Sequence, residues 1–456
     1  MKVPGAATLS PESDALVGSR LLKVSEQTAG EQWVFRARGD SMPDKSGFGP
    51  AGVVSTPGLY IEEATCAVPP IAGAPTAVAA FVGHTAAGPV DEPVQVTSFA
   101  GFETVFGGLE SGSALGYAVR HFFMNGGGPA WIVRVAAAAD GQPPEAGEML
   151  GDRATATGLY ALQRADGFNL LNLPDVSDAG VLSQAIAFAA ERRAMVLVDL
   201  PATVATVGAA RDWITDPVNA PLRHPNAVAY FPRVQVEDPT QGGQLRSLAN
   251  AGALAGLYAR NDLTRGVWKA AAGPDAPLFA VAGLDVPISD TDNAVLNPLA
   301  VNCLRSFPAH GVVPWGARTL AGMDAMASDW KYVPVRRTAL YIEESLDRGT
   351  RFAVFEPNGE PLWARLRQSI GDFMHRLFRE GAFQGSKPEE GYLVRCDAAT
   401  TTQADIDQGV VNILVGFAPL KPAEFVILHI QQKAGQAQDG PARRSGGTEN
   451  GSGGDG

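Results

Sequence analysis

The residues of this 456-residue chain that could do chemistry are scattered. His84, His121, His224, His310, His375 and His429 show no HxxxH or HxH spacing, so each reads as a structural side chain and not a metal ligand. Cys66, Cys303 and Cys396 lie far apart without a CxxC pair, which fits three buried thiols in reducing surroundings. No GxSxG elbow is present. Asn125-Gly126-Gly127-Gly128 lacks the Gly-Lys-Ser/Thr ending of a phosphate loop. It also follows a helical pattern and precedes a strand pattern, the reverse of the order that aims a helix N-terminus at phosphate, so it reads as a helix stop and turn. Asp397–Asp407 (DAATTTQADID) has a faint calcium-loop look but lacks the mid-loop glycine and the acids at positions three and five; a turn with Thr and Asp caps is expected. No catalytic, cofactor-binding or metal-binding residue is expected.

Charge narrows the partners. A formal net charge of −12 and the lack of any Lys/Arg block argue against nucleic acid, which needs a basic face. The first thirty residues carry Pro4, Pro11, Glu12 and Asp14 where a signal peptide needs an apolar stretch, and no apolar run reaches the length of a membrane span. Direct membrane insertion is not expected. Arg336, Arg337, Glu343, Glu344, Asp347 and Arg348 cluster on one helical stretch and suggest a solvated ion-pair face or pairs that cross between subunits.

The elements that would carry these groups form a mixed α/β pattern. Ala77–Gly83, Trp131–Val135, Asn169–Leu173, Met195–Leu200 and Ala227–Phe231 read as strands. Leu115, Ala118, Val119, Phe122 and Phe123 mark an amphipathic helix, and Ala179–Arg193 a second one within a βαβ unit. Further on, Val333–Arg348 reads as a helix ended by Gly349, and Arg351–Phe355 as a strand. A helix then opens with Pro361 at its first position, carries Leu362, Leu366, Ile370, Phe373 and Leu377 on one face, and stops at Gly381. Tyr392–Cys396 and Val410–Phe417 are strand candidates.

Two extended apolar segments stand at the ends of this region. Gly58–Glu63 alternates apolar and polar side chains after Pro57, and Glu424–Ile430 closes the patterned part of the chain. Neither has an obvious partner strand nearby. Strands with open edges aggregate unless their pairing is built in, and adding one to a sheet of another subunit supplies main-chain hydrogen bonds. Leu59, Tyr60, Ile61 and Glu62, with Phe425, Val426, Ile427, Leu428 and Ile430, are therefore the expected strand-exchange residues. Residues 1–54 read as an extended or disordered arm. The 24 residues Lys433–Gly456 contain eight glycines and nothing apolar larger than Ala, so they read as a disordered tail.

At this point the sequence resembles a known family. The run Ser55–Glu63 (STPGLYIEE) is similar to the "PGVYVEE"-type opening of contractile tail sheath proteins. Similarity continues through AAFVGHTAAGPVDEPVQVTSFAGFETVFGG (79–108), GYAVRHFFMNGGGPAWIVRV (116–135), LNPLAVNCLRSFP (296–308), VVPWGARTL (312–320) and 332–374. It closes with YLVRCDAATTTQADIDQG (392–409) and FAPLKPAEFVILHI (417–430).

The resemblance implies a two-domain tail-sheath fold: an inner C-terminal domain, residues 300–432, completed by an N-terminal strand in 55–70, and an inserted outer α/β domain, 71–299. It implies a helical or ring-stacked homopolymer around an inner tube protein, with baseplate and terminal cap proteins at its ends and no cofactor. Such particles are phage tails, R-type bacteriocins or extracellular contractile injection systems, assembled in the bacterial cytoplasm and released by lysis. Two rival expectations remain: an α/β enzyme using Asp199 at the end of the 169–200 βαβ unit as an acid or base, and a static capsid-like or adhesion protein.

Overall fold

Short apolar runs alternate with amphipathic helices along this chain, and runs of that kind bury themselves as a helix-covered sheet. The computed structural model describes residues 33–38, 70–136 and 144–424, and the described residues up to Pro422 form one compact unit. Its strands are β1 (Trp33–Arg38), β2 (Ala79–Gly83), β3 (Val94–Val96), β4 (Ala130–Arg134), β5 (Leu170–Asn172), β6 (Met195–Val198) and β7 (Ala227–Phe231). The later ones are β8 (Val234–Asp238), β9 (Gln244–Leu248), β10 (Gly283–Leu284), β11 (Asn302–Phe307), β12 (Gly311–Pro314), β13 (Tyr392–Arg395) and β14 (Val410–Phe417).

Eight strands make the main sheet, in the order β12-β11-β7-β6-β5-β2-β4-β3. From β11 to β4 all neighbours are parallel, and the edge strands β12 and β3 are antiparallel. Every residue of β2, β6 and β7 is buried, as expected of parallel strands covered on both faces. Alternate side chains serve two cores. Ala80, Val82, Val196 and Val198 join Leu182 and Ile186 of helix α4 (Ala179–Glu191) on one face, with α3 (Ala146–Leu150) and α5 (Val207–Thr215) around them. Phe81, Ile132, Leu197 and Val228 join Phe122 of α2 (Ala114–Met124) and Leu254 of α6 (Ala251–Arg265) on the other, where α1 (Phe99–Phe106) adds Phe102. A small antiparallel sheet, β10-β8-β9, adjoins this layer.

The main sheet does not end at residue 299: after α7 (Asp290–Leu296), β11 and β12 extend it to Pro314. The C-terminal part then builds its own core. Ile342 and Leu346 of α8 (Val333–Gly349) pack with Leu366, Ile370 and Phe373 of α9 (Glu360–Arg379), and each buried side chain of this size contributes about 1.5–3 kcal/mol. Ile71 completes this core, its carbonyl accepting from Arg376 Nη2 at 2.8 Å, while Ala74 N donates to Ser345 Oγ at 2.9 Å.

Two local expectations need correction. Arg351–Phe355 is not a strand: Arg351–Ala353 forms a single 3-10 turn, and Phe355 turns outward, 59% exposed, at φ 72. A run of five residues suits either state, and here Thr350 and Ala353 keep the hydrogen bonding of the helix end, with Thr350 N on Leu346 O and Ala353 N on Thr350 O. Pro361 is the second residue of α9, not the first, because Gly359 is the N-cap. Either position suits proline, since neither amide has an intrahelical acceptor.

Candidate functional site: the C-terminal sheet and its charged flank

The β-branched run of β14, VVNILVGF, lies at the centre of a three-stranded sheet, β1-β14-β13. β13 pairs with it antiparallel from Tyr392↔Phe417 to Arg395↔Leu414. β1 pairs with its other edge, also antiparallel, from Trp33↔Val415 to Arg38↔Val410. Part of the N-terminal arm is thus a strand. Among the described strands β13 has a neighbour on one side only.

Helix α9 covers this sheet with Phe373 and Leu377, next to Ile413 and Val415. The loop from Asp397 to Gly409 braces it. Asp397 Oδ1 accepts from Ala399 N and Thr400 N at 2.9 and 3.1 Å, and Thr402 with Asp405 forms a capping box that opens α11 (Gln403–Asp407). Thr401 Oγ1 then accepts from Asn412 N at 3.0 Å, so this segment is the capped turn expected from its sequence. After β14, Ala418 N donates to Gly391 O at the end of α10 (Pro388–Gly391), and Gln384 N donates to Ala418 O. The expected exchange residues, Leu59, Tyr60, Ile61, Glu62, Phe425, Val426, Ile427, Leu428 and Ile430, lie outside the described residues. So does Cys66.

The charged cluster on α8 is described. Arg193, in the turn after α4 at φ 54, reaches into it, 2.8 Å from Glu344, 3.9 Å from Glu343 and 3.8 Å from Asp347. Arg336 lies 3.7 Å from Glu343, Arg348 2.6 Å from Glu344, and Arg351 3.2 Å from Asp347. Arg337 turns inward to Asp262 of α6, at 2.7 Å. All six residues thus have ion-pair partners within their own chain. The face is not simply solvated: burial pushes the Glu343 carboxyl up despite Arg336 and Arg193. Burial also raises Glu344, but bonds from Arg348 and Arg193 hold it below its usual range. The sequence analysis missed Arg193 and Asp262, since partners this distant leave no local spacing signal.

Asp199, Cys303 and Cys396 are sealed from solvent. Asp199 is 3% exposed and accepts from Asn172 Nδ2 at 3.2 Å, Asp175 N at 3.3 Å and Ala251 N at 3.1 Å. Burial, reinforced by Asp175, raises its pKa to about 6. Its carboxylate fastens the ends of β5, β6 and α6 together and faces no open cleft. Burial also pushes the Cys303 and Cys396 thiols up to about 12, which suppresses the reactive thiolate. Asn125 and Gly126 end α2 as expected, Gly126 at φ 97. Among the described residues no three His, Cys, Asp or Glu side chains group as a metal site, and no helix is long and apolar enough to cross a membrane.

Residues 326–433, which include α8, α9, β13 and β14, match the phage tail sheath C-terminal domain family. The tail sheath protein of Burkholderia phage BcepMu is 30% identical over 164 residues, 34% of this chain and 33% of that protein. The chain thus spans about a third of the length of that curated relative. A chain of the anti-feeding prophage baseplate superposes with TM-score 0.66 at 29% identity, covering 84% of this chain and all of that one. A chain of an extracellular contractile injection system, the PVC sheath complex in its contracted state, gives TM-score 0.66 at 28% identity over 84% of this chain and 99% of its own. The C-terminal part is thus similar to the phage tail sheath C-terminal domain family, and 84% of the chain shares the fold of contractile sheath proteins.

Proposed function

We propose that this chain is the structural subunit of a contractile sheath, polymerising around an inner tube and shortening to drive that tube through a target envelope. The observation that carries this reading is the likeness to a sheath chain in its contracted state along nearly that chain's full length. In this reading the subunit performs no catalysis, needs no cofactor, and contacts baseplate and cap proteins at the ends of the polymer. Assembly takes place in the bacterial cytoplasm, as part of a phage tail or tail-like particle that lysis releases.

The C-terminal sheet is the linking device. Segments 58–63 and 424–430 add as strands to the sheets of neighbouring subunits, and the open side of β13 is one edge able to receive such a strand. Residues 55–70 with the C-terminal part form the inner domain, and the main-sheet body forms the outer one, with its boundary moved past β12. Strand exchange keeps neighbours joined while rigid bodies turn past one another between an extended and a shorter lattice.

Electron microscopy of the purified full chain and of two truncations tests this. The full chain should form tubes, while deletion of residues 1–64, or of everything after Pro422, should leave a folded monomer. Ile61→Pro or Ile427→Pro should act like the deletions by removing a ladder donor. Normal tubes from either truncation would end the strand-exchange reading, and a single fixed lattice spacing under all conditions would favour a static shell.

A further inference from the structure

At the C-terminal end of α6 the chain folds back on itself and encloses a cavity of about 210 Å³. Leu257, Arg260, Asn261, Thr264 and Arg265 of the helix line one side, and the segment Lys269–Ala276 the other. Its charge is one-sided, with three cations, Arg260, Arg265 and Lys269, against one carboxylate, Asp275. Arg265 pairs with Asp275 only loosely, at 3.5 Å, with both side chains more than half exposed. An exposed pair of this kind contributes little.

The other two cations have no carboxylate at all among the described residues. Arg260 donates from Nη1 to Asn125 O at 3.1 Å and from Nη2 to Pro277 O, and its guanidinium lies 4.1 Å over the ring of Phe279. Burial pulls its pKa down, as expected of a cation partly removed from water without a counter-charge. Lys269 Nζ donates to the carbonyl of Ala270 at 3.2 Å. A basic residue in the last turn of a helix offsets the partial negative charge there, and Arg265 alone meets that need. Arg260 and Lys269 are in excess of it. Carbonyls and an aromatic face fix Arg260 before any ligand arrives, which lowers the ordering cost of binding.

We propose that this cavity is a carboxylate-binding subsite that receives an acidic side chain from a second copy of the chain. The inference rests on the polymeric reading above. A copy is the occupant that charge selects: the chain carries 48 acidic against 36 basic residues, so a concave patch of excess cations complements the acidic excess of a second copy. The half-exposed Phe279 beside Arg260 supplies an apolar border to the same contact.

The test uses the full chain and two readouts. First, Arg265→Glu with Lys269→Glu reverses the mouth without touching Arg260 or its carbonyl partners. This variant should melt only slightly below the parent, through the lost helix-end charge, yet lose at least tenfold in polymer yield at low salt, while Lys269→Arg polymerises normally. Equal yield and an equal salt profile for the reversed variant overturn the proposal. Second, acylation of Lys269 is followed in the monomer, with and without millimolar glutarate, and in the polymer. Glutarate and assembly should each slow labelling several-fold. No protection by glutarate overturns the subsite whether or not polymers form, whereas a parent chain that never polymerises overturns the sheath reading itself. Protection by glutarate without any assembly defect in the reversed variant assigns the cavity to free small anions and overturns docking of a copy.

Discussion

Arg337 and Asp262 meet as a two-bonded ion pair, Nη1 to Oδ1 at 2.9 Å and Nη2 to Oδ2 at 2.7 Å, with both side chains buried. The pair joins α8 to α6, and Arg337 Nη2 also donates to Thr76 O at 2.9 Å. One guanidinium thereby ties together the chain entering the main sheet, a helix on that sheet and the first helix of the family-matched domain. Its centre lies 5.0 Å over the ring of Tyr258, whose hydroxyl is 2.6 Å from that of Tyr230.

Asp262→Ala should therefore cost about 3–5 kcal/mol, because it strands a buried guanidinium, and desolvation makes a lone buried charge far worse than a missing pair. Asp262→Leu combined with Arg337→Met should recover much of that loss by removing both charges. Urea denaturation of Asp262→Leu, Arg337→Met and the double variant gives the coupling. A loss below about 1 kcal/mol for Asp262→Ala would mean that water reaches the site.

The buried Asp199 predicts a slope with pH. Its folded pKa, about 6, lies above the ordinary value of 3.8, so the native state binds the extra proton between those limits. Stability from this group is then greatest below about pH 4, falls as pH rises to about 6, and stays level above that. The difference is on the order of 2–3 kcal/mol. Asp199→Asn should abolish this fall. It should also lower stability overall, because an amide NH2 would meet the donors that now point at the carboxylate. Melting curves from pH 4 to 7, taken as variant minus parent, isolate the effect; an unchanged slope would place the carboxylate in contact with solvent.

His121 acts in the opposite sense. It is 4% exposed on α2, neither ring nitrogen has a hydrogen-bond partner among the described residues, and burial followed by the charge of Arg120 lowers its pKa from 6.5 to about 4. The neutral ring's contribution is complete above about pH 6.5 and is lost as pH falls towards 4. His121→Leu should leave stability at pH 7 equal or higher, since two unpaired polar atoms disappear, and should protect the fold at pH 4–5. In the parent the two slopes offset each other between pH 4 and 6. Each single variant should therefore expose the slope of the group that remains, and a parent-like acid profile for His121→Leu would count against the sealed imidazole.

What the sequence revealed depended on how far apart the interacting residues lie. The all-apolar runs of β2, β6 and β7 and the spacing of Leu362, Leu366, Ile370, Phe373 and Leu377 state their own burial, because strand and helix periods are local. The pairs Arg193–Glu344 and Arg337–Asp262 are invisible in the same way that they are stable: they join residues brought together only by the finished fold. Arg351–Phe355 shows the limit of periodicity, since so short a run, with four apolar residues after an arginine, fits a strand or a helix end equally well. The small sheet β10-β8-β9 went unread, because β9 is mostly exposed and β10 is only two residues long. Of the candidate site, strand β14 was legible from its apolar run, but its pairing with β1 was not, since β1 lies within a glycine- and proline-punctuated arm.

The crossing of α2 and α6 gives the sharpest test of packing, because one substitution should have opposite signs at two glycines. A Cβ on Gly256 would stand 2.2 Å from Phe122 O and 2.8 Å from Asn125 Cβ, and one on Gly252 would stand 2.5 Å from Ala118 O. The obstacles are mostly backbone, so no side chain can swing aside and the helices must part. Overpacking of that kind costs about 1–3 kcal/mol, more than the roughly 1 kcal/mol of helix propensity that alanine gains over glycine. Gly371 sits within α9 with nothing within 4 Å of the added methyl, so there only the propensity gain remains. Gly256→Ala should therefore lower the melting temperature and Gly371→Ala should raise it, both read by calorimetry on the full chain. Stabilisation by both would mean that α2 and α6 pack more loosely than a direct glycine contact.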